Sequence, residues 1–148
     1  MADVYSLNAL KSLIELKIEN ALINEVSNAV KEKYQESITE NVYQTYFPVR
    51  YDRRYVLGDV SYMESTYEGD GVLSTTTKAP SSPSVVDRSV SDNLAHWIEY
   101  GEVYPLWGGG EWSKARPFLN QAIDKIEGDN AHVEALKAGL IRQGLNVE

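Results

Sequence analysis

Apolar side chains recur every three or four residues from early in the chain: Leu7, Leu10, Ile14, Ile18, Ala21 and Leu22, then Val26, Val30, Tyr34, Ile38 and Val42. That spacing predicts a helix over about residues 4 to 42 with one face turned to a core. The later members step by four each time, and four overshoots the helical turn of 3.6 residues, so the buried stripe winds around the helix. Either the helix curves around a core or it breaks near residues 24 to 28, where Asn24, Ser27 and Asn28 lower propensity. Pro48 fixes an end, because the residue before a proline is pushed out of the helical region.

Between about Tyr55 and Lys78 the period changes. Val60, Tyr62, Glu64 and Thr66 alternate with Met63, Ser65 and Tyr67, and Val72 to Thr77 is rich in β-branched residues. Glu68-Gly69-Asp70-Gly71 separates the two runs, and its glycines supply the positive φ of a tight hairpin turn. The Pro/Ser stretch from Ala79 to Ser84 reads as an exposed loop. A short helix through Tyr100 follows, capped by Ser89 or Ser91 and stopped at Gly101, with Leu94, Trp97 and Ile98 at core spacing. Pro117 opens the next helix, with Phe118, Ala122, Ile123 and Ile126 on one face. Gly128-Asp129-Asn130 interrupts it, and Val133, Leu136, Leu140 and Ile141 form a last helix that ends at Gly144. The order of helix, hairpin and helices predicts a single α+β domain over residues 1–148: a long N-terminal helix, a small antiparallel sheet, and C-terminal helices packed on that sheet.

Composition narrows the chemistry. The chain has no cysteine, which removes disulfides and thiolate sites. Neither a signal-peptide pattern nor an apolar run of membrane length is present in the sequence. A net charge of −8 with scattered basic residues argues against a phosphate-backbone footprint. The one basic cluster, Arg50, Arg53 and Arg54, is diluted by Asp52.

Two histidines, His96 and His132, are the neutral-pH proton carriers. Asp92, His96 and Glu99 share one face of the short helix, a spacing that suits three metal ligands of a small hydrolase; a solvated helix face is the plainer account. Glu99, Glu102 and Glu111 offer a carboxylate pair for glycoside hydrolysis, with an acidic surface as the plainer account. Trp107-Gly-Gly-Gly-Glu-Trp112 lacks the lysine ending of a phosphate loop. It reads either as a loop pinned by two core tryptophans or as an interface loop that orders on docking. Most of the aromatic side chains fall between Tyr43 and Trp112, and so many tyrosine hydroxyls suit a surface that meets another protein, which is also the reading for a monomeric protein-binding module.

Two stretches carry a resemblance. Leu94-Ala-His-Trp-Ile-Glu-Tyr-Gly101, a variable loop, and then Ala115-Arg-Pro-Phe-Leu119 with a helix resemble the tail-completion, or head-tail joining, proteins of long-tailed bacteriophages. Tyr43-Gln-Thr-Tyr-Phe-Pro-Val-Arg-Tyr-Asp-Arg-Arg54 looks like the Tyr/Arg segment of members from phages of Gram-positive hosts. The segment from Tyr62 to Ser84 departs from the compact members in being longer and richer in Thr and Ser. The resemblance implies a structural virion protein without enzymatic activity or cofactor, similar in fold to tail terminators. It implies a homo-oligomeric ring, usually a hexamer, between a connector or head-closure protein and the tail tube protein. Such a protein is made in the host bacterial cytoplasm and ends in the neck or tail of the virion. DNA passes through the ring without sequence-specific binding, no membrane is involved, and an acidic lumen repels the passing duplex. A ring needs two different patches per chain. Tyr46, Tyr51, Arg53 and Arg54 form one candidate patch, and Trp107 with Trp112 the other.

Overall fold

The computed structural model describes residues 6–45, 47, 55–78, 94–101 and 114–148, apart from the side chains of Leu94 and Trp97. It is an α+β fold built on one long helix. Helix α1, Leu7–Ala21, opens on Ser6, whose hydroxyl accepts the Ala9 N–H at 3.2 Å. The chain continues through a π-helical turn at Leu22–Val26, helix α2 at Ser27–Ile38, and a second π turn at Thr39–Tyr43. The helix therefore does not break near Asn24; it absorbs the mismatch there.

The geometry explains why. Each step of four advances the stripe by about 40° beyond a full turn. A π turn takes in one extra residue, which sets the stripe back by roughly 100°. Two such turns keep Leu22, Val26, Ile38 and Val42 buried along one side, with Val30 and Tyr34 half-buried between them. Polar side chains service the loosened backbone at both places. Asn24 Nδ2 donates to the Asn20 carbonyl at 2.7 Å, Thr39 Oγ1 to that of Gln35 at 2.8 Å, and Asn41 Nδ2 to that of Ser37 at 2.9 Å.

One part of the predicted stripe is not buried. Leu7 is 81% exposed, and Leu10 and Ile14 also face solvent. The reason is the length of the partner helix. Gln143 Nε2 donates to the Lys17 carbonyl at 2.8 Å and Lys17 Nζ to the Gln143 carbonyl at 2.6 Å, so the C-terminal helix ends beside Lys17. The first turns of α1 project past it.

Strands β1, Met63–Gly69, and β2, Val72–Thr77, form the antiparallel hairpin, with Met63 opposite Thr77 and Ser65 opposite Thr75. Asp70 and Gly71 make the turn at φ 50° and 79°, the paired positive values that a two-residue hairpin turn requires. The sequence extends the strand pattern back to Val60, but Val60–Tyr62 is a 3₁₀ turn. Asp59 forms it by accepting the Ser61 N–H at 2.9 Å, a local bond that outcompetes β alternation. A second 3₁₀ turn, Val56–Gly58, lies just before.

Helix α3, Leu94–Tyr100, stops at Gly101 with φ 69°. Helix α4, Phe118–Asp129, and helix α5, Ala131–Arg142, are divided by Asn130 alone, at φ 52°. The C-terminal helices pack against the hairpin through Phe118, which joins Ile38, Val42, Leu57 and Met63 in the central cluster with Leu119 beside it. Beyond that, α4 lies along α2 and α5 along α1 and the first π turn. Gly139 permits the second contact, since a Cβ there would sit 2.7 Å from the Ala21 Cβ and 2.5 Å from Glu25 Oε2. Ion pairs bind the same surfaces: Lys33 to Asp129 at 2.7 Å, Lys125 to Glu36 at 3.0 Å and to Glu40 at 2.7 Å, and Arg142 to Glu25 at 2.5 Å. Among the described residues no helix is long and apolar enough to cross a membrane.

Candidate functional site

Helix α4 begins without a cap of its own. Pro117 occupies the cap position and its side chain has nothing to accept with. The missing acceptor comes from α3: Glu99 Oε2 takes the Leu119 N–H at 2.7 Å and Oε1 takes the Asn120 N–H at 3.2 Å. Glu99 is 3% exposed, so its charge is held in the interior at the positive end of a helix dipole. Backbone bonds tighten the joint. The Arg116 N–H donates to the Ile98 carbonyl at 2.8 Å, and the Phe118 N–H closes a tight turn on the Arg116 carbonyl at 2.7 Å around Pro117. From the other side, the buried Ser37 hydroxyl donates to the Phe118 carbonyl at 2.6 Å. The Ile-Glu-Tyr-Gly and Ala-Arg-Pro-Phe-Leu stretches are thus two halves of one structural joint, bridged by a carboxylate.

Beside the joint lies a cleft of about 330 Å³ between β2, α3 and the start of α4, lined by Tyr34, Met63, Thr77, His96, Glu99 and Phe118 among others. Burial, helped by the negative charge of Glu99, holds the Tyr34 hydroxyl above its ordinary pKa. The Thr77 hydroxyl oxygen is buried with no hydrogen-bond partner. His96 is exposed and lies against Tyr100, ring centres 4.8 Å apart.

The arrangement bears on the metal-ligand reading. Glu99 is buried and gives both oxygens to backbone N–H groups, which accounts for its placement without a metal. Asp92, the third member, lies outside the described residues, as do Glu102 and Glu111. Among the described residues no group of three or more His, Asp or Glu side chains is placed to hold a metal ion.

The predicted interface residues Tyr46, Tyr51, Arg53, Arg54, Trp107 and Trp112 all lie outside the described residues. What the structure does show is how the ends of the Tyr/Arg segment are held. The Tyr43 and Tyr55 rings meet edge to face, centres 4.9 Å apart. The Gly58 N–H donates to the Tyr43 hydroxyl at 2.7 Å, and a Cβ at Gly58 would stand 3.0 Å from that ring. Tyr55 carries the strain of a left-handed φ of 57°, and its side chain, like that of Phe47, remains exposed. The chain leaves the core at Tyr43 and returns next to it at Tyr55.

One feature was missed in the sequence. The Glu99 cap joins residues twenty apart across a segment whose length is no guide to spatial distance, so spacing gave no signal.

Comparison with known proteins places this architecture. The YomN family model matches residues 6–142, from the cap of α1 to the last residue of α5. The chain belongs to the YomN family. The family carries a phage-derived name, which makes a phage-associated protein the coarse assignment. Its span takes in every described helix and strand, including both halves of the Glu99 joint. No curated protein and no solved structure matches the chain.

Proposed function

We propose that the chain is a structural virion protein that assembles into a ring at the head-tail junction, or at the head-proximal end of the tail, and joins tail to head. The observation that carries the reading is the paired motif: the Glu-Tyr-Gly stretch and the Ala-Arg-Pro-Phe-Leu stretch, whose order and spacing resemble head-tail joining proteins, are bonded to each other through Glu99. Membership of a family with a phage-derived name points the same way. In this reading the Glu99 joint is scaffold, and the segments it and the Tyr43–Tyr55 contact hold at their ends supply the contact surfaces. Tyr46, Tyr51, Arg53 and Arg54 meet one neighbour or the connector. Trp107 and Trp112 anchor the other contact, and the tail tube protein docks on the assembled ring.

Native mass spectrometry of the purified chain over a range of concentrations, with and without chelator, tests the reading. A sixfold species indifferent to chelator is the expected result. A metal-bearing monomer whose metal is lost with Glu99→Gln would replace the ring by the hydrolase. In the phage, Trp107→Ala should give a folded protein and a loss of infectious particles of at least about tenfold, as expected for an aromatic hot spot. A normal yield removes the Trp-Gly loop from the interface.

A further inference from the structure

The hairpin turn joins two reactive partners. Asp70-Gly71 is the one place in the chain where an aspartate or asparagine precedes a glycine. An aspartyl carboxyl is open to attack by the backbone nitrogen of the residue that follows it, and a glycine there leaves that nitrogen unshielded by a Cβ. The surroundings do not obstruct the reaction. Both residues are exposed, and no atom beyond the chain neighbours of Gly71 lies within 4 Å of where a Cβ on it would stand. Their positive φ values, 50° and 79°, belong to a two-residue turn at the tip of the hairpin.

One contact restrains it. The Gly71 N–H donates to the Tyr67 hydroxyl at 3.1 Å. That proton must leave before the nitrogen can attack, and the bond holds both the proton and the orientation of the peptide. Tyr67 stands at the shift in strand register, pairing with Leu73 while Gly69 pairs with Val72. We infer that Asp70 is a site of isoaspartate formation and that the Tyr67 hydroxyl is what slows it.

The step balances with water alone. The Gly71 nitrogen bonds to Cγ of the protonated Asp70 carboxyl, the Cγ–hydroxyl bond breaks, and water leaves with the amide proton. The product is a cyclic succinimide, one water lighter than the starting chain. Water then adds to either ring carbonyl, whose bond to nitrogen breaks. Opening at Cγ restores aspartate; opening at the backbone carbonyl leaves the chain running through the side chain. The second route adds one methylene to the backbone of the turn, which misaligns the pairing of Gly69 with Val72.

The reaction needs no partner, so it is separate from the ring reading. The full chain, held folded in buffer for weeks and sampled by peptide mapping, should accumulate isoaspartate at Asp70 above every other aspartate. Enzymatic methylation of the new α-carboxylate detects the product, whose mass equals that of the starting chain. Tyr67→Phe keeps the ring and removes the acceptor, so isoaspartate should form about fivefold faster, the effect of one ordinary hydrogen bond. Asp70→Glu, whose longer side chain closes a less favourable ring, should abolish the methylation signal from the turn. Amide exchange across the hairpin checks that Tyr67→Phe stays folded there. The inference falls if isoaspartate is absent from Asp70 in Tyr67→Phe, if the product maps to another aspartate, or if Tyr67→Phe and the wild type react at one rate. It also falls if the faster reaction in Tyr67→Phe comes with lost amide protection, for then opening of the hairpin sets the rate and the hydroxyl does not.

Discussion

Replacing Glu99 by Ala would strip two backbone N–H groups of their acceptors inside the protein. Unsatisfied buried donors and a lost helix cap together cost about 2–4 kcal/mol, so Glu99→Ala should lower the urea midpoint accordingly. Glu99→Gln keeps one acceptor oxygen and should cost about half as much. Equal midpoints for the wild type and both variants would show that the joint does not need its carboxylate. Gly139 makes a different demand, since an added methyl meets Ala21 and Glu25 at distances no real Cβ tolerates. Gly139→Ala should destabilise by about 1–3 kcal/mol as α5 is pushed off α1, measured by the same denaturation. At this scale the sequence was only partly legible. Asp70, Gly71, Gly101 and Pro117 announce their turns because their backbone preferences are intrinsic. Glu99 does not, because its partners are chosen by a tertiary contact, and a carboxylate at helical spacing from a histidine looks the same whether it meets a metal or a peptide N–H.

At the scale of elements, the long helix tests the account of its π turns. A residue absorbed in a π turn can be removed without rotating the flanking helices relative to each other. Deleting Asn24 should therefore give a chain with near wild-type melting temperature. Deleting Glu32, within α2, should turn one half of the helix by about 100° against the other and lower the melting temperature by at least about 10 °C, as scrambled core faces must. Equal loss from both deletions would mean that the π turn is required for its own shape. The hairpin and the helices were legible because their periods differ, two against 3.6. The drift of the step-of-four stripe was legible too, but its resolution was not. Curvature, a break and an inserted residue all absorb the same angular error, and what selects among them is the site to which Asn24, Thr39 and Asn41 lend a side-chain donor. The exposed start of α1 was misread for a plainer reason: the pattern states that a face is apolar, and the length of α5 decides whether this chain covers it.

At the scale of the whole molecule, a chain of net charge −8 joins its helices through half-buried lysines whose carboxylate partners face solvent. The hydrogen bond from Lys125 holds the Glu36 carboxyl below its usual range, and that from Lys33 does the same for Asp129. Carboxylates depressed in the folded state stabilise it above their unfolded pKa values and lose that contribution as the pH falls through the folded ones. The window therefore lies below about pH 4. The urea midpoint should begin to drop below about pH 4 and keep dropping as the pH falls further, and Lys125→Met should show a shallower drop because its pairs are already gone. A parallel pair of curves would assign acid sensitivity to other carboxylates. Exposed pairs are screened, so added salt should shrink the difference between the two proteins.

The Glu99 joint has a consequence for how such a protein can change over time. It bonds α3 directly to the start of α4, so the two ends of the chain between Gly101 and Lys114 are held together by contacts outside that stretch. Doubling the length of a closed segment costs only about 0.6 kcal/mol. Lengthening the chain between those two points by a few residues should therefore leave the melting temperature near its wild-type value. Sequence between the two anchors can thus drift while the anchors themselves stay tied to Glu99 and Pro117.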